Sequence, residues 1–238
     1  MRKKLITITL LLLGFSISLQ AQRNLGLPNL LKYDKQRFHF GFMIGYNQYD
    51  FTLRTKANLA EYDSLMKIYT SPLSGFNLGI VANLRLGEYF DLRFIPGLTF
   101  ADRMLNYSIK YSDGKEFISY KNVESVFLDF PLLIKFKSSR MHNVRVYVVG
   151  GAQYSRDLIS NAKKQAANPR EIYVKVYPDD FQFQTGVGFD FYMTYFKFST
   201  ELKMSFGIPN ILVPESHIYA TSVTALKTKV IQISFLFE

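Results

Sequence analysis

Cysteine is absent from the 238 residues, and so is tryptophan. The first absence removes disulfides, thiolate nucleophiles, Cys-bound zinc and lipid attachment through a lipobox cysteine. Histidine is scarce: His39, His142 and His217 lie far apart in the chain, with no metal-ligand spacing. Beyond the first twenty residues no apolar run approaches the roughly 20 residues of a membrane-spanning helix, which excludes a helical membrane protein. Basic residues outnumber acidic ones, 29 to 19. They are dispersed rather than gathered into a stripe, so nucleic acid is not indicated as a partner. What the chain has in abundance is rings, 22 Phe and 16 Tyr, within a hydrophobic content of 48%. That composition argues against disorder and supplies a large apolar surface.

Arg2, Lys3 and Lys4 precede an apolar stretch from Leu5 to Leu19, and Leu19-Gln20-Ala21 before Gln22 reads as a small-residue cleavage site. Residues 1–21 are therefore expected to be a signal peptide, since about fifteen apolar residues fall short of a spanning helix. Residues 22–37 then form an N-terminal arm, and residues 38–238 carry the repeated pattern that follows.

That pattern is period-2 alternation, the mark of a strand with two different faces. Phe196, Phe198, Thr200, Leu202, Met204 and Phe206 share one face, against Lys197, Ser199, Glu201, Lys203 and Ser205 on the other. Phe181 to Phe191 alternates in the same way, as do segments around Phe38–Tyr46, Phe76–Leu86, Leu92–Phe100, Val126–Phe136, Val144–Tyr154 and Ile231–Phe237. None of the apolar faces carries a charge. The opposite faces hold Arg85, Asp91, Arg93, Asp129, Lys135, Arg145, Asp190, Lys197, Glu201 and Lys203.

Connections between these segments are alternately short and long. Gly87 to Phe90, Ser138 to Asn143 and Tyr192 to Tyr195 are tight; Arg54 to Leu73, Arg103 to Asn122, Asp157 to Asp180 and Ile208 to Ser222 are long. An even number of strands with long loops on one rim and tight turns on the other is the plan of an outer-membrane barrel. The fold expected is thus all-β, an eight-stranded antiparallel up-and-down transmembrane β-barrel. Alternation alone does not say which face is inside, and a soluble lipocalin-like barrel would turn the apolar face inward. Eight strands, however, enclose a lumen just wide enough for its own side chains, too narrow for so many rings. Gly, Asn and charges of both signs suit that bore, and an open sheet edge in lipid would leave backbone groups unsatisfied, which forces closure.

The lumenal charges have two readings. They line an ion-selective pathway, or they cross-link the interior as a plug, which the small diameter favours. Arg85, Asp91, Lys135, Arg145, Asp190 and Lys197 should cluster near the short turns, at the periplasmic end, with Arg93, Asp129, Glu201 and Lys203 higher. Asp113-Gly114 between Tyr107–Tyr111 and Phe117–Tyr120 signals a hairpin, and a short helix around Ala57 to Ile68 is a further expectation. Loop residues Arg54, Lys56, Lys67, Lys163, Lys164, Arg170 and Lys175 face lipopolysaccharide phosphates or are simply solvated.

The arm carries Arg23, Lys32, Lys35 and Arg37 against Asp34, with Leu25-Gly26-Leu27-Pro28 resisting regular structure. It precedes an upward first strand, so both termini are expected in the periplasm. The arm is either a docking arm for a partner or a tail lying on headgroups. A catalytic constellation would need a nucleophile, His and acid together at the loop rim. Only His217 with Asp179-Asp180 approaches this, and no nucleophile is spaced to join them. A non-enzyme without cofactor or metal is the expectation.

Two stretches carry a resemblance. Phe127-Leu128-Asp129-Phe130-Pro131-Leu132-Leu133-Ile134-Lys135-Phe136 resembles the strand motif of the broad outer-membrane β-barrel family of Bacteroidota, as does a signal peptide ending Leu19-Gln20-Ala21-Gln22. Pro131 removes one donor from the strand ladder, which demands a bulge or local gap. More narrowly, Lys32-Tyr33-Asp34 followed by His39-Phe40-Gly41-Phe42 and Gly45 resembles the PorT family of the type IX secretion system. Val230 to Phe237 resembles the aromatic-ended last strand of such barrels, although Glu238 follows the expected terminal Phe. The resemblance implies a non-enzymatic outer-membrane component that supports type IX protein secretion and gliding motility through other secretion-machinery proteins, with no catalytic residues to carry over. Two alternatives stand beside it: a small adhesin or lipid-contact barrel acting through its loops, and a lipid-modifying barrel enzyme.

Overall fold

A ring of hydrogen-bonded strands closes on itself in the computed structural model, which describes residues 28–55, 65–110, 116–159, 175–214 and 221–238. Its strands are β1 (Phe38–Thr55), β2 (Leu65–Arg85), β3 (Phe90–Phe94), β4 (Gly97–Lys110), β5 (Glu116–Lys137), β6 (Val144–Asp157), β7 (Asp179–Tyr192), β8 (Lys197–Gly207) and β9 (Val223–Phe237). Every neighbouring pair is antiparallel, and β1 joins both β2 and β9, so the sheet closes into a ring. Nine segments form eight staves, because β3 and β4 continue each other between β2 and β5. The eight-stranded up-and-down barrel expected from the alternation is borne out.

The break between β3 and β4 has a local chemical cause. Ile95 lies opposite Pro131, and its N–H donates to the Pro131 carbonyl at 3.3 Å. Pro131 has no N–H to return, and Pro96 beside it lacks one too, so the ladder lapses for two residues while its register continues. The gap demanded by Pro131 is thus located in the neighbouring stave. Pro131 itself is buried on the bore side.

Inside and outside follow the strand period. In β1 the side chains of Phe38, Phe40, Phe42, Ile44 and Tyr46 are all exposed, whereas His39, Met43 and Asn47 are buried. The same division runs round the ring: Leu132, Ile134 and Phe136 face out, and Leu133 and Lys135 face in. Rings on the outer surface meet at cross-strand positions, Phe42 with Phe237 at 4.8 Å, Phe76 with Phe100 at 4.5 Å and Phe90 with Phe136 at 5.0 Å between centroids. Such pairs reinforce the ladder beneath them. An exterior this apolar, on strands longer than a tilted spanning strand needs, suits hydrocarbon rather than water. Among the described residues no helix is long and apolar enough to cross a membrane.

Two connections are shorter than the sequence reading made them. β2 begins at Leu65, so the helix expected over Ala57 to Ile68 is strand from Leu65 onward, with the rest outside the described residues. β-branched and aromatic residues there satisfy pairing with β4, which outweighs a weak helical pattern. β4 and β5 pair as far as Lys110 with Glu116, while Asp113-Gly114 lies outside the described residues. Residues 1–27, including the expected signal peptide and Arg23, also fall outside them, as do Lys56, Lys163, Lys164, Arg170 and His217.

The orientation generates a direct test. Leu132→Arg, within the outward apolar run Val126–Phe136 of β5, should lower stability in a bilayer by about 2–4 kcal/mol, and Leu158→Arg beyond that run by about 1 kcal/mol or less. Denaturant unfolding in lipid vesicles measures both; equal effects would contradict an outward apolar belt.

Candidate functional site

The bore is the place where alternation collects charge. Asp91, Arg93, Asp129, Lys135, Arg145, Asp190, Lys197, Glu201 and Lys203 all point inward and are at most 8% exposed. Buried charges are costly unless paired, and most of these meet a partner of opposite sign. Lys135 Nζ donates to both oxygens of Asp190, at 2.9 and 2.7 Å, and Ser199 Oγ donates to the same carboxylate at 2.6 Å. Lys137 Nζ reaches Asp91 at 2.6 Å, and Asn83 donates to its other oxygen at 3.0 Å. Arg93 bridges Glu201 at 2.9 Å and Glu238 at 3.5 Å; Lys197 also holds Glu238, at 2.8 Å. Lys203 Nζ lies 3.4 Å from Glu201, an ion contact without hydrogen-bond geometry. Tyr147 anchors the centre: its hydroxyl donates to Glu201 at 2.9 Å, and Lys135 Nζ sits 3.7 Å above its ring. Gly188 makes that possible, since a Cβ there would strike the Tyr147 ring.

Arg85 stands apart from these pairs. It is half-buried at the turn, and its Nε donates to the Gly87 carbonyl at 3.0 Å. Asp129 lies one level farther from the turns, accepting from Thr99 Oγ1 at 2.6 Å.

At the turn end the described part of the arm, from Pro28 onward, is folded across the mouth. A single 3-10 turn, Tyr33–Lys35, seats two side chains. The Tyr33 ring stacks on His39 at 4.0 Å and 19°, meets Tyr192 edge-on at 6.0 Å, and donates its hydroxyl to Glu238 at 3.1 Å. His39 Nε2 in turn bonds the Tyr33 carbonyl at 2.8 Å. Asp34 accepts from Arg145 at 2.9 and 3.4 Å, Arg140 at 3.3 Å and the Tyr192 hydroxyl at 3.0 Å. Asn29 adds bonds to Asn143 and the Tyr192 carbonyl, and its own carbonyl accepts from Arg140. Lys32, Lys35 and Arg37, the partner-arm candidates within the described residues, are exposed. Of the resemblance motif, Phe40 and Phe42 face outward and His39 faces the mouth. Gly41 leaves the room that Glu238 fills, since a Cβ there would strike the Phe237 carbonyl and crowd the Glu238 side chain.

Burial pushes the Asp34 carboxyl up, but Arg145, the Tyr192 hydroxyl and Arg140 outweigh it and hold the group below its ordinary range. The Tyr33 hydroxyl is pushed far up, first by burial and then by the Glu238 carboxylate beside it, so it stays a donor.

The loop end of the bore is apolar, contrary to the expectation of a polar face throughout. Arg103, 1% exposed, is held between the rings of Phe51 at 4.6 Å and Phe127 at 5.1 Å, and donates to Ser125 at 2.6 Å. Beyond it Phe51, Ile68, Leu105, Tyr107, Val123, Val176, Ile211, Leu212, Val223 and Leu226 form one cluster. Val176 and Leu212, bridged to each other, bring two connections inward to complete it.

The cavities left in the ionic layer and the layer above it are about 10 Å³ each, room for a single water at most. Ion pairs and Tyr147 fill the bore toward the turns, amide and hydroxyl side chains with Met43 and Ile95 fill the layer above, and the apolar cluster fills the loop end, so the geometry is a plug. Asp179 faces outward to Arg156 and Tyr154, and Asp180 faces into the bore against Gln182. The two acids that might have joined His217 therefore point opposite ways. Among the described residues no group of His and acids could hold a metal ion.

Several residues central to the bore were legible but unread. Lys137 follows Lys135 and Tyr192 follows Asp190 at the two-residue strand period, and Glu238 follows Ser234 and Leu236 in the same inward phase. Tyr33, Asp34 and Arg140 carried no strand signal, because their meeting depends on the arm turning back.

A family model described as outer membrane protein beta-barrel domain matches residues 20–213. No curated protein matches the sequence. Among solved structures, the crystal structure of the outer membrane protein OprG from Pseudomonas aeruginosa is similar, with 13% identity and a TM-score of 0.39 over 89% of this chain and 95% of that one.

Two outcomes test the site. Lys135→Met strands Asp190 in the bore and should cost about 3–5 kcal/mol, much of it recovered by adding Asp190→Asn; unfolding of the single and double variants in detergent measures the coupling. For Asp34 the folded pKa is depressed, so its hold on the arm is present above about pH 4 and is lost as pH falls through the lowered folded value. A nitroxide on Leu31→Cys, unambiguous in a cysteine-free chain, should gain mobility over that acid window in wild type and show no such transition in Asp34→Asn.

Proposed function

Because the chain belongs to the outer membrane protein beta-barrel family, we propose that it is a non-enzymatic outer-membrane subunit that supports the assembly or operation of the type IX secretion and gliding machinery. In this reading the short turns and both termini face the periplasm, and the loops face outward among lipopolysaccharide. The observation that carries it is the closed bore. A barrel filled by ion pairs at one end and an apolar cluster at the other works through its surfaces rather than through a channel. The periplasmic surface so assigned bears the exposed cations Lys32, Lys35 and Arg37. It is also where Tyr33 and His39, residues of the stretch that resembles the PorT family, meet, and where Asp34 of that stretch meets Arg145 and Arg140.

A small adhesin or lipid-contact barrel is the second reading, favoured by the pairing of β2, β4 and β5 far toward the loops. Deletion separates the two: loss of type IX cargo from the cell surface supports the secretion role, and normal export with lost adhesion supports the alternative. Replacing Arg23, Lys32, Lys35 and Arg37 by Ala should abolish co-purification of secretion partners from solubilised membranes while heat-modifiable migration shows the barrel still folded.

A further inference from the structure

We propose that the turn-end mouth is a peptide-binding site for an adjacent aromatic–carboxylate pair, occupied in this structure by the chain's own Tyr33-Asp34 and available to the same pair on a partner protein. The inference rests on the proposed function for the source of that second segment; the site itself rests on geometry.

The seat has two compartments. One takes an anion: Arg145 presents its fork to both oxygens of Asp34, Arg140 adds a guanidinium N–H, and the Tyr192 hydroxyl completes the set. Planar, charge-assisted contacts of this kind select a carboxylate. The other takes a ring: His39 supplies a parallel face, Tyr192 an edge, Lys197 a cation 4.8 Å from the centroid, and Glu238 an acceptor for a phenolic hydroxyl. Adjacent residues fill both compartments, so the spacing read is that of one dipeptide.

The seat belongs to the barrel and the occupant does not. His39, Arg145, Tyr192 and Lys197 stand on strands β1, β6, β7 and β8, each paired on both sides, and remain in place if the arm leaves. Arg140 is oriented by its own turn, donating to the His142 carbonyl at 2.6 Å and lying 3.7 Å over the Tyr192 ring. The occupant is a three-residue turn between exposed Leu31, Lys32 and Gln36. A turn that short has no stability of its own, so its docking free energy is that of the mouth contacts, above all Tyr33, Asp34 and the Asn29 bonds. Departure leaves two guanidinium groups facing each other without the carboxylate that both contact, a state that draws in another carboxylate. The tethered arm competes at an effective concentration on the order of millimolar, so a partner displaces it only with a segment that binds more tightly or is itself held nearby.

The test uses the full chain in detergent micelles and a fluorescent peptide of residues 29–37. Emptying the seat with Tyr33→Ala plus Asp34→Ala should tighten peptide binding by about tenfold or more over wild type, as expected when a tethered competitor is removed. A peptide carrying the same two substitutions should not bind. Adding Arg140→Gln and Arg145→Gln to the emptied chain should abolish binding; Tyr192→Phe, which keeps the ring, should weaken it several-fold and serves if the double Gln variant fails to fold. Equal binding to wild-type and emptied chains, or equal binding of the substituted peptide, would overturn the site. Peptide binding with normal cargo export on deletion would retain the site and remove the secretion role; absent binding with lost export would do the reverse.

Discussion

Backbone hydrogen bonding in a medium without water governs this molecule. Each peptide group placed in hydrocarbon must find a partner within the protein, and a sheet can provide that only by closing. The pairing of β1 with both β2 and β9 is that closure. Once the ring exists, the two-residue period of a strand separates side chains into an outer set that meets lipid and an inner set that does not. The outward rings of Phe42, Phe237, Phe76 and Phe100 and the inward ions of Lys135, Asp190, Arg93 and Glu201 are consequences of the same geometry.

The inner set then faces its own constraint. A bore of eight staves is too narrow to hydrate many charges, so they must neutralise one another. Nature's arrangement here is graded along the axis. Ion pairs centred on Tyr147 occupy the turn side, Arg103 between Phe51 and Phe127 marks a transition, and an apolar cluster closes the loop side. Arg103 suits that boundary because a guanidinium is weakly hydrated and stacks on ring faces. Glu238 ties this interior to the arm, accepting from Arg93, Lys197 and Tyr33 together. The contacts at the mouth are thus continuous with those of the plug.

Closure also explains where irregularity is tolerated. Pro96 and Pro131, on neighbouring staves, concentrate their missing donors in one place, so the ladder is interrupted once rather than twice. Gly188 and Gly41 answer a different need, opening space for Tyr147 and Glu238 in a crowded interior.

Strand number, alternation and the sidedness of each strand were legible from residues alone, because period-2 patterning survives whatever the strands pair with. Lys135 and Asp190 were assignable to the bore for that reason, and so in principle was Glu238. The chain's order of residues did not reveal which charges pair, since Lys135 meets Asp190 through the stagger of strands far apart in sequence. It did not reveal that the loop side of the bore is apolar, because Phe51, Leu105 and Leu226 gain their common environment only when connections bring Val176 and Leu212 over them. Nor did it disclose the arm's position: Tyr33 and Asp34 lie outside any periodic element, and their place is decided by a seat that exists only after β1, β6, β7 and β8 have been drawn together. Local pattern determines the barrel and its two faces; long-range assembly decides what fills it and what covers its mouth.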